Sequence, residues 1–221
     1  NVWPAGKLAL EGKAAVAWDW DAHKQVQVAA LGRDFTGYFG WHYPPPFLFI
    51  AAALAKLPYA FAFACWSFIS MLPYLVLVRC MVGRPFGWMV GAGFPTALYN
   101  AHVGQNGFLT TALFGGTLQL LLARPVLAGV CLGLLTYKPQ YGLLFPIVLI
   151  ATHQWRVFFT AAAVAIAVGL ASWVTFGSEG WIGFVHSITG AQQAFLSEGR
   201  APWGKLQSIF ATTRYFGGSE Q

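Results

Sequence analysis

Between Asp34 and Glu179 the chain contains no Asp and no Glu. Charged residues make up only 9% of the 221 residues, against roughly 25% in an ordinary soluble domain. In the acid-free interval only Lys56, Arg79, Arg84, Arg124, Lys138 and Arg156 carry charge. So long a stretch without carboxylates excludes a paired-carboxylate cation site there and argues against a water-soluble fold. Cysteine is scarce too: Cys65, Cys80 and Cys131 lie in or beside apolar runs, where a thiol acts as a small hydrophobe, so no disulfide and no metal site is expected. There is no Gly-rich phosphate loop, no zinc-ligand spacing and no Ser-His-Asp arrangement, which argues against soluble nucleotide-dependent chemistry. What fills the chain instead is apolar: 57% hydrophobic residues, with 10 Trp, 19 Phe and 8 Tyr. That aromatic load excludes a disordered tail or a nucleic-acid arm, despite the formal charge of +6.

These features predict an all-α, polytopic membrane helix bundle in three parts. Residues 1–46 interleave charges with Ala, Val, Leu and Trp and form an extracytoplasmic loop. Its apolar spacing predicts amphipathic helices over Ala5–Ala17, with Gly12 as an end, and over Asp21–Leu31, lying at the membrane surface. Three prolines, Pro44 to Pro46, then force an extended turn. Residues 47–176 form the transmembrane region. Phe47–Leu57 is too short to cross, because a span takes about 20 residues. Crossings are expected over Tyr59–Val78, Phe86–Ala101 and Gly107–Ala123, then two short helices, Val126–Tyr137 and Tyr141–Thr152, then a span over Val157–Phe176. Residues 177–221 read as a polar, Gly-containing extracytoplasmic loop. The polar opening at Asn1, with neither initiator Met nor apolar leader, reads as a piece of a longer protein, truncated at both ends.

Counting the short helices separately puts Arg79 with Arg84, Arg124, and Arg156 with His153 on one side, as the positive-inside bias requires. The first 46 residues, His102–Asn106, Lys138–Gln140 and the tail then share the other side. Reading Val126–Ala151 as one kinked span would separate Arg124 from Arg156. The pairs Gly87/Gly91 and Gly129/Gly133 suit close helix packing.

Three clusters could carry chemistry. Lys138, followed by the helix-breaking Pro139, sits in an uncharged apolar stretch where a lysine costs about 2.5–3.5 kcal/mol to insert. It either snorkels from a helix end or binds an anion, a phosphate or pyrophosphate. The run Asn100–Gly107 sets Asn100, His102, Gln105 and Asn106 between two apolar runs. That run is either a turn or a polar site for sugar hydroxyls or phosphate. His42 and Tyr43, before the prolines, either mark a structural stop or offer donors.

At these clusters the chain resembles a known family. The run from Trp3-Pro4-Ala5-Gly6-Lys7 to Glu11-Gly12, then Tyr43-Pro44-Pro45-Pro46, then Gly104-Gln105-Asn106, then Ala128-Gly129 leading to Lys138-Pro139, is similar to the integral-membrane GT-C glycosyltransferases that depend on polyprenol-phosphate mannose (glycosyltransferase family eighty-seven). The likeness covers most of residues 1–176. It implies a GT-C fold with surface helices in the first extracytoplasmic loop, in a membrane protein, of the bacterial plasma membrane, with its site on the extracytoplasmic face. It further implies transfer of a hexosyl, mannosyl, group with inversion from a polyprenyl-phosphate donor to a lipid or glycan acceptor, among membrane lipids and without nucleic acid. On that reading Lys138 and His102 contact the donor phosphate, and Gln105, Asn106, His42 and Tyr43 line the sugar or acceptor pocket. No cofactor and no metal is implied. The catalytic Asp is expected before Asn1, so no base is named here and the 221 residues alone are expected to be inactive. Asp19 fits the end of a loop helix. Trp181, His186, Gln192 and Trp203 in the tail could cover the site. A transporter or lipid-carrier flippase with an anion site at Lys138 is the competing reading, and a non-catalytic assembly subunit is a third.

Overall fold

The computed structural model describes residues 1–36, 39–83, 85–192 and 208–218, and every regular element among them is a helix. The chain divides into two compact units, Asn1–Phe184 and Val185–Gln221.

The first unit opens with α1 (Val2–Leu10), a 3-10 turn over Ala14–Trp18, and α2 (Trp20–Leu31). The Asp19 side chain accepts from the Ala22 N–H at 2.8 Å and so caps α2, and Gly32 at φ 68° ends it. The helix expected over Ala5–Ala17 is thus two pieces. Of these pieces, α1 buries Pro4, Ala5, Gly6 and Leu8 against α3 (Leu48–Ala55). At Gly6 a Cβ would run into the Ala51 carbonyl, so only glycine permits this crossing. The Trp3 indole donates to the Leu57 carbonyl at 2.9 Å, tying α1 to the entry of the next helix.

That helix, α4 (Tyr59–Val82), is long and apolar enough to cross a membrane. The return is broken. The expected crossing Phe86–Ala101 is α5 (Gly87–Gly93) and α6 (Pro95–Val103), because Phe94, preceding a proline, is pushed to extended backbone (ψ 124°). Gly87 and Gly91 do pack tightly on α4, where Cβ atoms would come within 2.7 Å of the Arg79 Cα and 2.8 Å of Leu75. Next, α7 (Gly107–Leu120) runs parallel to α4, with Gly104 against Phe63 and Gly115 against Leu77. After Arg124 come α8 (Pro125–Leu134), a 3-10 turn over Leu135–Tyr137, α9 (Pro139–Gly142) and α10 (Phe145–Ala151). These form a hairpin with Lys138 at its tip. Leu121, Leu122 and Pro125 line one cavity at its base together with His153, Gln154, Trp155 and Arg156, so the chain returns to the level of Pro125 by His153.

The last long helix, α11 (Trp155–Gln192), contains the second apolar stretch of spanning length. Gly129 and Gly133 of α8 meet it backbone to backbone, since a Cβ would lie 2.8 Å from the Val157 and Ala161 carbonyls respectively. The bundle is thereby an all-α membrane fold. Residues 178–192, expected as loop, are helical, continuing past a break at Gly177 (φ 74°, ψ 173°). The turn there brings Gly183 to 3.1 Å, as a Cβ contact, from the Ala15 carbonyl, and Phe184 to 6.3 Å from the Trp18 ring. That packing needs partners 166 and 168 residues away in sequence, which is invisible in local pattern. The second unit holds the end of α11 and α12 (Ile209–Tyr215), capped by the Ser208 hydroxyl, which accepts from Ala211 N–H at 3.1 Å.

Candidate functional site

One end of the first unit gathers the polar features. There the Pro44–Pro46 turn, the α6–α7 turn and the hairpin tip converge on an aromatic cluster. Phe47 stacks on Trp41 (5.6 Å, 16°) and on Tyr137 (4.7 Å, 18°). Tyr43 lies 4.8 Å from Phe47 and 6.3 Å from Tyr137, ring centre to centre. The prolines fix this approach by making the chain extended at Pro44 (ψ 161°). The Trp18 indole then donates to the Tyr43 carbonyl at 3.1 Å.

The α6–α7 turn is held by Asn100. Its amide donates to the Gln105 carbonyl at 3.0 Å and accepts from the Gly107 N–H at 3.0 Å, and a Cβ on Gly107 would collide with it. Gly104, at φ 64°, supplies the left-handed step. This turn orders Asn106, which is buried (3% exposed), with neither amide oxygen nor nitrogen hydrogen-bonded among the described residues. The Tyr43 hydroxyl interacts with that amide without closing a hydrogen bond by distance and angle. A buried amide left without a closed hydrogen bond costs about 1–3 kcal/mol. One turn on, the Thr110 and Tyr137 hydroxyls meet at 2.7 Å.

Lys138 follows Tyr137 directly. Its backbone N–H donates to the Leu135 carbonyl at 2.8 Å, and its ammonium lies 5.6 Å from the Tyr141 ring centre. It belongs to no ion pair among the described residues, whose three pairs all sit in the first 34 residues: Lys7–Glu11, Lys13–Glu11 and Lys24–Asp34. Against the tip runs an apolar cavity of about 360 Å³, lined by Leu132, Gly133, Thr136, Pro139, Leu143 and Phe158 among others.

The structure therefore brings Tyr43 and Asn106 together and places Lys138 next to their neighbour Tyr137. His102 and Gln105 lie on the same turn with exposed side chains. His42 turns aside to stack edge-on with Trp20 at 6.2 Å. Trp181 is in the first unit with its indole N–H buried and unpaired among the described residues; His186 and Gln192 belong to the second unit, and Trp203 lies outside the described residues.

Residues 41–221 match Glycosyltransferase family 87. The chain belongs to that family. No curated protein matches it, and no solved structure does. As a family 87 member it is a membrane glycosyltransferase, an enzyme acting on a sugar donor and an acceptor.

Sequence reasoning missed Tyr137, Thr110 and His23. Tyr137 and Thr110 each sit in an apolar run and read singly as core; only the fold pairs them. His23, on α2, is 1% exposed. Burial, with the charge of the Asn1 amino group and then the nearby His42 adding to it, pulls its imidazole down to about 3. The Ala17 carbonyl faces that ring without meeting hydrogen-bond geometry. Burial likewise lowers His42 and raises Tyr43, so near neutrality the ring nitrogens stay uncharged and the phenol stays a donor. The described acids do not approach this cluster in any recorded contact: Asp19 caps a helix, Glu11 and Asp34 pair with lysines.

Proposed function

We propose that this glycosyltransferase moves a hexosyl group, mannosyl in particular, from a polyprenyl-phosphate donor to a hydroxyl of a lipid or glycan acceptor. It works at the extracytoplasmic face of a bacterial plasma membrane. The observation that carries this reading is Lys138, a cation with no acid in its stretch of chain, at the tip of a hairpin flanked by an apolar cavity. A donor with an anionic phosphate on a long isoprenoid chain has the matching two-part chemistry. In the transfer, the acceptor oxygen attacks the anomeric carbon from the face opposite the phosphate. The bond to the phosphate oxygen breaks, and the acceptor proton passes to a carboxylate supplied by the whole protein. Lys138, assisted by His102, stabilises the charge that grows on the departing phosphate. Asn106 and Tyr43, with Gln105 and His42 at the rim, hold sugar and acceptor hydroxyls. Residues 1–46 serve as the extracytoplasmic loop, 47–176 as the membrane region and 177–221 as a second segment on the outer side.

The test uses the full-length protein in liposomes with radiolabelled polyprenyl-phosphate mannose and, separately, a nucleotide-linked mannose. Transfer from the lipid donor only, lost in Lys138→Ala, supports the reading. Transfer from the nucleotide sugar, or full activity in Lys138→Ala, overturns it.

A further inference from the structure

The end of the bundle opposite Lys138 carries a second cavity, of about 470 Å³, lined by Leu121, Leu122, Pro125, His153, Gln154, Trp155 and Arg156. Two local rules are broken there at once. His153 adopts φ 55°, the only described non-glycine residue with positive φ. It stands where a glycine would end α10 more cheaply, in a closing turn in which the Gln154 N–H bonds the Leu149 carbonyl at 2.8 Å and the His153 N–H bonds the Ile150 carbonyl at 3.1 Å. Arg156 lies in the first turn of α11, where the helix dipole disfavours a cation. Arg124 precedes the lining residue Pro125 in sequence and is exposed. No acid occurs between Asp34 and Glu179 to answer these charges, and neither arginine joins an ion pair among the described residues.

The rest of the lining is apolar and outward. Leu122 is 80% exposed and Trp155 44% exposed, Trp155 stacks at 27° on Phe159, and Trp is a residue type enriched at membrane interfaces. A cation, an imidazole and exposed apolar side chains thus meet at one cavity. A free anion would use only the first of these.

We propose that this cavity is a binding site for the phosphodiester headgroup of an anionic phospholipid, with Arg156 and His153 on the phosphate, the neighbouring Arg124 adding to the local positive charge, and Leu122 and Trp155 against the acyl chains. The site is separate from the one at Lys138 and stands whether or not the donor assignment does.

Native mass spectrometry of the full-length protein, released from mixed micelles of phosphatidylglycerol and phosphatidylcholine, tests it. The wild type should retain phosphatidylglycerol about tenfold over phosphatidylcholine. The Arg124→Gln, Arg156→Gln double variant should lose that preference. His153→Gly keeps the left-handed turn and should lower retention several-fold at undiminished thermal stability, a result that a purely structural histidine would not give. Equal retention of the two lipids, unchanged preference in both variants, or displacement of the lipid by millimolar inorganic phosphate would overturn the proposal.

Discussion

The two turning points around the α8–α10 hairpin make an instructive pair. Both hold a cation and an irregular backbone in a stretch with no acid. At the tip, the irregularity is imposed by Pro139, and the half-buried Lys138 has the Tyr141 ring beside its ammonium and follows Tyr137, which is bonded to Thr110. At the base, no proline follows His153. Its left-handed backbone is chosen against preference, and the cationic side chains stand in the open. Burial and orientation suit a group that must stabilise charge in one place during a reaction; exposure suits reversible contact with a plentiful ligand.

The sharpest way to break the comparison is to remove the cations one at a time. Lys138→Ala should cut transfer by about a hundredfold or more, in the range for losing one charge-stabilising group, while Arg156→Gln leaves transfer unchanged; initial rates in liposomes decide it. Equal losses would erase the distinction. A second effect comes from α2. His23 is held neutral, so between its ordinary 6.5 and about 3 the unfolded chain binds more protons than the folded one. Stability is complete above that window and falls as pH drops through it, by about 3 kcal/mol near pH 4. Acid titration followed by tryptophan fluorescence should show this, and His23→Phe should flatten it. Third, Thr110→Val strands the Tyr137 hydroxyl and should cost about 1–2 kcal/mol in denaturant melts. Adding Tyr137→Phe should recover most of that, because both polar partners are then gone. The smallest effect is at the base: His153→Gly should raise stability by about 0.5–1 kcal/mol, visible as a higher melting temperature.

Much of the bundle is legible in sequence because its signals are local. The Lys138-Pro139 break, the Gly129/Gly133 contact and the lone lysine need no knowledge of neighbours. Pro95 was equally local, yet the apolar run from Phe86 to Ala101 has nearly the length of a span, and length outweighed the proline. The helix beyond Gly177 was missed for another reason. Its composition around Glu179 and Gly180 resembles loop, and its order comes from packing on Ala15 and Trp18. The candidate site divides the same way. Tyr43, Asn106 and Lys138 stand out as polar groups in apolar surroundings, whereas Tyr137 and Thr110 acquire meaning only from each other.

The hairpin itself has a bearing on the lipid around it. Its two apolar arms, Pro125–Tyr137 and Pro139–Ala151, each fall well short of the roughly 20 residues a full crossing takes. In the arrangement proposed above, with the base at one interface, the tip would stop below the other, and the bilayer beside it would be drawn in to meet Lys138, as mismatch demands. A dimple of this kind would bring headgroups down to the lysine, so that a bulky lipid-borne group could arrive by sliding within its own leaflet rather than by being lifted out of it.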